Sequence, residues 1–204
     1  NVIALSTDKA CNPGNLYGAS KLASDKIFIA ANNLSGLKGT KFSVVRYGNV
    51  LGSKGSVIPL FKELIKNNSG YLPITDKRMT RFSISINQGV TFVLSNLSSM
   101  VGGEIFVPKI PSMKILDLAK WMAPQFEIRL IGIRPGEKLH ESMINIDDGR
   151  LTSEFEDRYV INSNILKITT EENKILNSVH EEFEYVSNNN KQWLIEDDFK
   201  QLIN

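Results

Sequence analysis

Four consecutive apolar residues, Val2-Ile3-Ala4-Leu5, break directly into the polar run Ser6-Thr7-Asp8-Lys9. Such a run reads as a short strand buried on both faces, as in a parallel sheet. Parallel strands are joined by crossovers, usually a helix. Leu16 to Asn33 supplies one: Leu22, Ile27, Phe28 and Ala31 recur at helical spacing, and Pro13-Gly14 marks a turn before them. Phe42 to Arg46 then reads as a second strand. Strand, helix, strand is the opening of an α/β fold. The first strand needs neighbours on both sides, and the first half of the chain offers few other strand candidates. The sequence is therefore expected to be a piece of a longer protein whose earlier strands complete the sheet; the alternative is a short edge strand in a complete small domain.

Further along, Leu34 to Thr40 reads as a loop, Tyr47 to Gly55 as a glycine-rich loop, and Val57 to Lys66 as a helix with Pro59 in its first turn. Asn67 to Gly70 ends that helix. Ser85 to Leu97 reads as a helix with Asn87 as its cap, Glu104 to Val107 as a strand, and Ile115 to Met122 as a helix stopped by Pro124. Phe126 to Ile133 alternates as a strand does. No linker separates two domains, and no internal repeat is present. The 204 residues are 42% hydrophobic and 23% charged, an ordinary globular balance. A net charge of +2 gives no reason to expect nucleic acid or an anionic membrane as partner. One cysteine, Cys11, allows no intrachain disulfide, and with His140 and His180 it makes no zinc site. No metal is expected. No apolar run reaches membrane-spanning length, and a cytoplasmic setting is the expectation.

The chemistry concentrates at the first strand end. Ser6-Thr7-Asp8-Lys9 is followed by Tyr17-Gly18-Ala19-Ser20-Lys21, a Tyr-x-x-x-Lys pattern at a helix start. Residues i and i+4 share a helix face, so the Lys21 ammonium favours the phenolate of Tyr17. A tuned tyrosine can take the proton of a hydroxyl. Polar groups at the C-terminal end of a parallel strand lie where open α/β sheets bind ligands. A bare Tyr-x-x-x-Lys is more often an amphipathic helix with a solvated lysine, and Thr7-Asp8 also suits a simple cap. The combination of strand end and helix start is what lends the pattern specificity.

The motifs Ser6-Thr7-Asp8-Lys9-Ala10, Asn12-Pro13 and Asn15-Leu16-Tyr17-Gly18-Ala19-Ser20-Lys21 resemble those of extended short-chain dehydrogenases/reductases. They are most similar to the inverting UDP-N-acetylglucosamine 4,6-dehydratases of pseudaminic acid biosynthesis. The resemblance continues through Val45-Arg46-Tyr47-Gly48-Asn49-Val50, Gly52-Ser53-Lys54-Gly55-Ser56, Pro73-Ile74-Thr75-Asp76 and Met79-Thr80-Arg81-Phe82. It then covers Gly103 to Lys109, Arg134 to Glu141, and the tail Asn188-Asn189-Asn190 before Gln192-Trp193-Leu194.

The resemblance implies the C-terminal part of a Rossmann-like doubly wound parallel sheet plus a smaller α/β lobe that binds the UDP-sugar. Residues 1–56 would belong to the nucleotide-binding domain and 57–204 mainly to the lobe, with the two interleaved. It implies a dehydratase that inverts carbon 5, by transient oxidation at carbon 4, loss of water and hydride return to carbon 6. Tyr17 would take the 4-hydroxyl proton, Thr7 would hydrogen-bond the same hydroxyl, and Lys21 would hold the nicotinamide ribose. Lys9 would remove the carbon-5 proton and Asp8 would protonate the departing 6-hydroxyl. An acid and a base of different pKa in one site is the physical requirement. Related dehydratases carry Asp-Glu here, so Lys9 points to the inverting branch.

With Tyr17 and Lys21, Val50, Leu51, Gly52, Ser53 and Lys54 would line the cofactor, Gly52 and Gly55 permitting close backbone approach. Asn49, Thr75, Arg81, Arg134 and Glu137 would contact the substrate, the arginines at its diphosphate. Glu137 would hold a ribose hydroxyl or pair with Lys138 or Arg134, and His140 would be structural. The implied cofactor is NADP in preference to NAD, and the implied assembly a homodimer or hexamer. No Gly-x-x-Gly-x-x-Gly occurs in the chain, so these residues alone are expected to bind NADP poorly and to be nearly inactive. The alternatives are a retaining UDP-sugar 4,6-dehydratase or an epimerase of the same superfamily, and a non-catalytic truncated module.

Overall fold

The computed structural model describes residues 1–36, 39–161 and 177–203, so two positions of the expected 34–40 loop lie outside the described residues. In chain order the strands are β1 (Val2–Thr7), β2 (Phe42–Tyr47), β3 (Asn49–Val50), β4 (Tyr71–Ile74), β5 (Thr80–Ile84), β6 (Ile105–Pro108) and β7 (Ser112–Lys114). They continue as β8 (Glu127–Leu130), β9 (Ser142–Ile144), β10 (Thr152–Glu154), β11 (Arg158–Ile161), β12 (Asn177–Ser178) and β13 (Tyr185–Val186). The helices are α1 (Leu16–Ser35), α2 (Val57–Lys66), α3 (Ile86–Ser99), α4 (Ile115–Met122), α5 (Ile146–Gly149) and α6 (Glu196–Ile203). The chain forms two compact units. The first comprises Asn1–Tyr47, Asn87–Lys109 and Ser142–Val186, and the second Gly48–Ile86, Ile110–Glu141 and Ser187–Asn204.

In the first unit a six-stranded sheet runs β1-β2-β6-β11-β10-β12. β1 pairs parallel with β2 and β2 parallel with β6, while β11, β10 and β12 add in antiparallel fashion. α1 is the crossover from β1 to β2, as the sequence requires. Its start is fixed by Asn15, whose side chain accepts from the Gly18 amide at 2.9 Å. That cap supplies an acceptor to one of the donors a helix start leaves unpaired. Val45, Phe92, Met100, Phe106, Phe155 and Val160 form the apolar core. Glu104, fully buried, accepts from Ser43 Oγ and from the amides of Val101 (2.6 Å) and Gly102 (2.8 Å). A buried carboxylate held by three donors locks the approach to β6.

β1 departs from its expected burial on both faces. Ala4 and Ser6 are buried, but Leu5 is 52% exposed. Side chains alternate between faces along a strand; on the face of Leu5, Ile3 packs against the core while Leu5 does not, and β1 is an edge of the described sheet.

The second unit holds the sheet β3-β5-β7 and the parallel pair β4–β8. α2 and α4 span the residues expected of them, because their apolar positions recur at helical spacing and bury together. Ile58, Phe61, Leu72, Ile74, Leu118 and Phe199 are part of the shared core. β4 and β5 are strands the sequence reading did not find. Pro73 sits in β4, and β5 is rich in polar residues, yet all five of its side chains are buried. The expected 47–55 loop contains β3, and only Glu127–Leu130 of the expected 126–133 strand pairs. Asn87 does not cap α3; the helix begins at Ile86, so Asn87 lies inside its first turn.

Phe61 is fully buried at the centre of this core. Phe61→Ala is expected to cost about 3–5 kcal/mol, read as a lower urea midpoint.

Candidate active site

β1 delivers Thr7 to its C-terminal end, in register with Tyr47 at the end of β2. The chain then turns through a single 3-10 turn, Asp8–Ala10. Thr7 is a true cap, since its hydroxyl accepts from the Lys9 amide at 3.4 Å, and it also donates to Asp8 Oδ1 at 2.9 Å. Lys9 Nζ donates to the same Oδ1 at 3.1 Å. Asp8 is fully buried and its Oδ2 has no hydrogen-bond partner, whereas the Lys9 side chain is 33% exposed. One carboxylate oxygen is therefore held twice and the other is bare. The ion pair and its neutral counterpart differ only by one proton moved along the Asp8–Lys9 contact, so the couple can take a proton at one end and give one at the other.

The first turn of α1 lies directly against this 3-10 turn. A Cβ on Gly18 would run into the Lys9 carbonyl oxygen and come within 2.9 Å of Pro13 Cβ, so only glycine fits there. Gly18 thus sets how closely Tyr17 approaches Lys9. Tyr17 is 55% exposed. Lys21 Nζ donates to the Leu5 carbonyl on β1 at 3.4 Å, tying the helix face that carries the tyrosine to the strand that carries Thr7. The phenol of Tyr47 is pushed up by burial and, secondarily, by the charge of Tyr17. Thr7, Asp8, Lys9, Tyr17 and Lys21 accordingly gather at one end of the sheet within the first unit. Tyr47 joins them, and sequence reading had placed it only inside a motif. Its register with Thr7 was the signal available.

The remaining candidate residues lie in the second unit. Asn49 is on β3, and its Oδ1 is buried without a partner. Val50 to Ser53 closes one turn (Ser53 N to Val50 O, 3.2 Å) and Ser53 to Ser56 closes a second (3.1 Å). Gly52 (φ 73°) and Gly55 (φ 78°) occupy the left-handed position of each. Nothing lies where their Cβ atoms would be, so the requirement for glycine within this chain is conformational rather than one of close approach. Lys54 projects from the second turn and is exposed.

Arg81 on β5 is buried, and its guanidinium donates to the carbonyls of Thr80 (2.8 Å), Leu139 (3.2 Å) and Lys138 (3.0 Å). Glu137 Oε1 lies 3.7 Å and Glu141 Oε1 3.8 Å from it. Arg81 thereby shapes the 137–141 segment. Glu137 pairs with Arg81 and the Arg134 amide (3.3 Å), while Lys138 turns to Glu141 (3.6 Å). The exposed Arg134 guanidinium stands on the turn that Glu137 closes. Thr75 donates to Met79 Sδ at 3.1 Å, and Arg78 beside Asp76 holds that carboxyl down at about 2. His140 Nδ1 meets Thr80 Oγ1 at 2.8 Å, and Thr80 Oγ1 meets Ser187 Oγ at 2.7 Å. Burial lowers the His140 pKa, with the charges of Arg81 and Arg78 acting the same way against Asp76. Among the described residues no helix is long and apolar enough to cross a membrane, and no group of three or more His, Cys, Asp or Glu could hold a metal.

Parallel strands joined by a helix, with polar groups at the strand ends, make a Rossmann-type α/β fold. The chain belongs to the polysaccharide biosynthesis protein family, whose model matches residues 1–163. It is 58% identical to the inverting UDP-N-acetylglucosamine 4,6-dehydratase of Campylobacter jejuni subsp. jejuni serotype O:23/36 (strain 81-176), over 99% of this chain and 63% of that protein. It is 42% identical to a UDP-glucose 4-epimerase of Rickettsia canadensis (strain McKiel), over 78% of this chain and 48% of that protein. The solved structure of Pen from Bacillus thuringiensis superposes with a TM-score of 0.86 at 33% identity, covering 99% of this chain and 61% of that one. The chain thus spans less than two thirds of the length of the proteins it matches. The family resemblance read from the motifs around Thr7-Asp8-Lys9 and Tyr17/Lys21 is borne out by the identity over nearly the whole chain.

Gly18→Ala forces backbone apart at the Lys9 carbonyl, and a loss of about 1–3 kcal/mol in stability is expected from chemical denaturation. His140 gives a pH signature. Its folded pKa lies below the ordinary 6.5, so as pH falls past 6.5 the unfolded chain takes up a proton that the folded chain refuses. Stability is therefore expected to drop on acidification below that point, and His140→Gln should flatten the slope in thermal melts between pH 7.5 and 5.5.

Proposed function

We propose that the protein containing this chain is a UDP-N-acetylglucosamine 4,6-dehydratase that inverts carbon 5, supplying the first intermediate of pseudaminic acid biosynthesis for surface or flagellin glycosylation. The observation that carries the reading is the Asp8–Lys9 couple at the end of β1, with the Tyr17 helix packed against it through Gly18. Tyr17 takes the proton of the sugar 4-hydroxyl, and Thr7 hydrogen-bonds that oxygen. The ketone formed at carbon 4 acidifies the proton on carbon 5. Neutral Lys9 takes that proton while protonated Asp8 gives one to the 6-hydroxyl, and water leaves. The couple then stands as the ion pair, with one proton moved from carboxyl to amine by way of the substrate. A proton from solvent, delivered to the opposite face of carbon 5, completes the inversion.

A nicotinamide cofactor, when bound, supplies the acceptor for hydride from carbon 4 and its donor back to carbon 6. The residues fit it: Leu5 occupies one of three Lys21 ammonium donors, leaving two for ribose hydroxyls, and the Val50–Lys54 backbone is open beyond Gly52. NADP in preference to NAD, a cytoplasmic setting and a homo-oligomer form part of the same proposal. The first unit would then be the end of the nucleotide-binding domain and the second mainly the lobe that recognises the UDP group. There Asn49, Thr75, Arg134 and Glu137 reach the substrate, and Arg81 holds the 137–141 segment in shape. The 204 residues alone are proposed to be nearly inactive.

The identity with UDP-glucose 4-epimerases favours one competing reading, in which carbon 4 is inverted and no water leaves. The product of the full-length protein with UDP-N-acetylglucosamine decides. Loss of water, one solvent deuterium at carbon 5 and an L-configured ring by mass spectrometry and proton NMR are expected, whereas a 4-epimer overturns the reading. Lys9→Ala should lower dehydration by about 10²–10⁴-fold while slow oxidation at carbon 4 remains.

A further inference from the structure

Arg46 is a buried arginine that the proposed chemistry does not use. It lies on β2 in register with Ser6, one residue before Thr7 on the neighbouring strand, and is 2% exposed. One arm of its guanidinium donates to Asp25 Oδ2 at 3.2 Å. Asp25, itself 1% exposed, lies on α1 one turn beyond Lys21 and two beyond Tyr17, on the same helix face. The other arm donates to the Met143 carbonyl on β9 at 2.9 Å and reaches Asp148 on α5 at 3.4 Å.

The segment gripped by that second arm also touches the turn after Lys9. Asn145 caps α5 through the Asp148 amide (2.8 Å) and donates to Asn12 Oδ1 at 3.1 Å. Cys11 Sγ meets Ser142 Oγ at 3.5 Å. Asn12 holds a left-handed backbone (φ 48°) where the chain swings from the 3-10 turn toward α1. One guanidinium therefore joins three pieces: β2, the helix carrying Tyr17 and Lys21, and the segment that braces the loop between Lys9 and Tyr17. A rigid planar fork spreads its donors over two arms, whereas an ammonium gathers its three on one nitrogen and cannot span both sets of acceptors at these distances.

We propose that Arg46 is a positioning residue. It fixes the Tyr17/Lys21 face of α1 and the Thr7–Lys9 turn in one frame, so that phenol and Asp8–Lys9 couple address the same sugar. This rests on the reading of those residues as the reacting groups.

The test uses the full-length protein with Arg46→Lys and with the paired change Arg46→Met/Asp25→Leu, which removes both buried charges and so avoids stranding one of them. Turnover of UDP-N-acetylglucosamine, the thermal midpoint and the ring-carbon NMR resonance of Tyr17, assigned by its loss in Tyr17→Phe, are measured together. Expected is a kcat lower by on the order of 10²-fold, with KM little changed and the Tyr17 resonance displaced, because misplacing a reacting group costs the chemical step rather than binding. A merely structural role would lower the thermal midpoint and leave kcat per folded molecule and the Tyr17 resonance where they were. A folded paired variant with unchanged kcat overturns the proposal, and so does a loss of kcat with an unmoved resonance. If the unaltered protein shows no turnover, the functional reading fails, and the Tyr17 resonance alone still decides whether Arg46 positions the helix.

Discussion

The parallel pairing of β1 with β2 is the constraint on which the first unit is built. A parallel partner cannot be reached by a tight turn, so the chain must leave the C-terminal end of β1, run back along α1 and re-enter at Phe42. That path forces the start of α1 to lie beside the end of β1. Thr7, Asp8 and Lys9 end the strand, Tyr17 and Lys21 begin the helix, and topology alone makes them neighbours. Gly18 then lets the two segments touch at backbone distance, and the Lys21 ammonium on the Leu5 carbonyl fastens the contact.

Within that frame the polar interior is unusually committed. Asp25, Arg46 and Glu104 are buried with charged or backbone partners on separate elements or loops, whereas Asp8 is buried against Thr7 and Lys9, its neighbours in the chain. Burying a charge is tolerable only when its partners are arranged in advance, so these groups specify how elements dock as well as how strongly. Two of them keep one atom without a partner, Oδ2 of Asp8 and Nε of Arg46, a departure from the full satisfaction most buried polar groups reach.

The second unit applies the same logic to its 137–141 segment. Arg81 spends its donors on three carbonyls and thereby builds the 137–141 segment, while Arg134 stands exposed on the turn next to it. One arginine shapes and the other is free to reach outward, a division of labour that their identical chemistry conceals in the sequence. The Val50–Ser56 turns show the converse. Glycine there answers a backbone demand in the chain itself, and openness above the turn follows from it.

The sequence by itself determined what is local. α1, α2 and α4 were legible because helical spacing is written in consecutive residues, and β1 and β2 because apolar runs between polar ends have few other uses. The Thr7-Asp8-Lys9 and Tyr17/Lys21 pattern was legible for the same reason, since one crossover joins its two halves. Tertiary structure alone decided the rest. β5 reads as polar because Thr80, Arg81 and Ser83 find partners or burial only once distant segments arrive. The exposure of Leu5 on β1 depends on which elements surround it. The reach of Arg46 from Asp25 to Asp148 spans most of the chain, and no spacing rule links those positions. Periodicity reports on neighbours along the backbone, whereas buried charge finds its partners only when the fold closes.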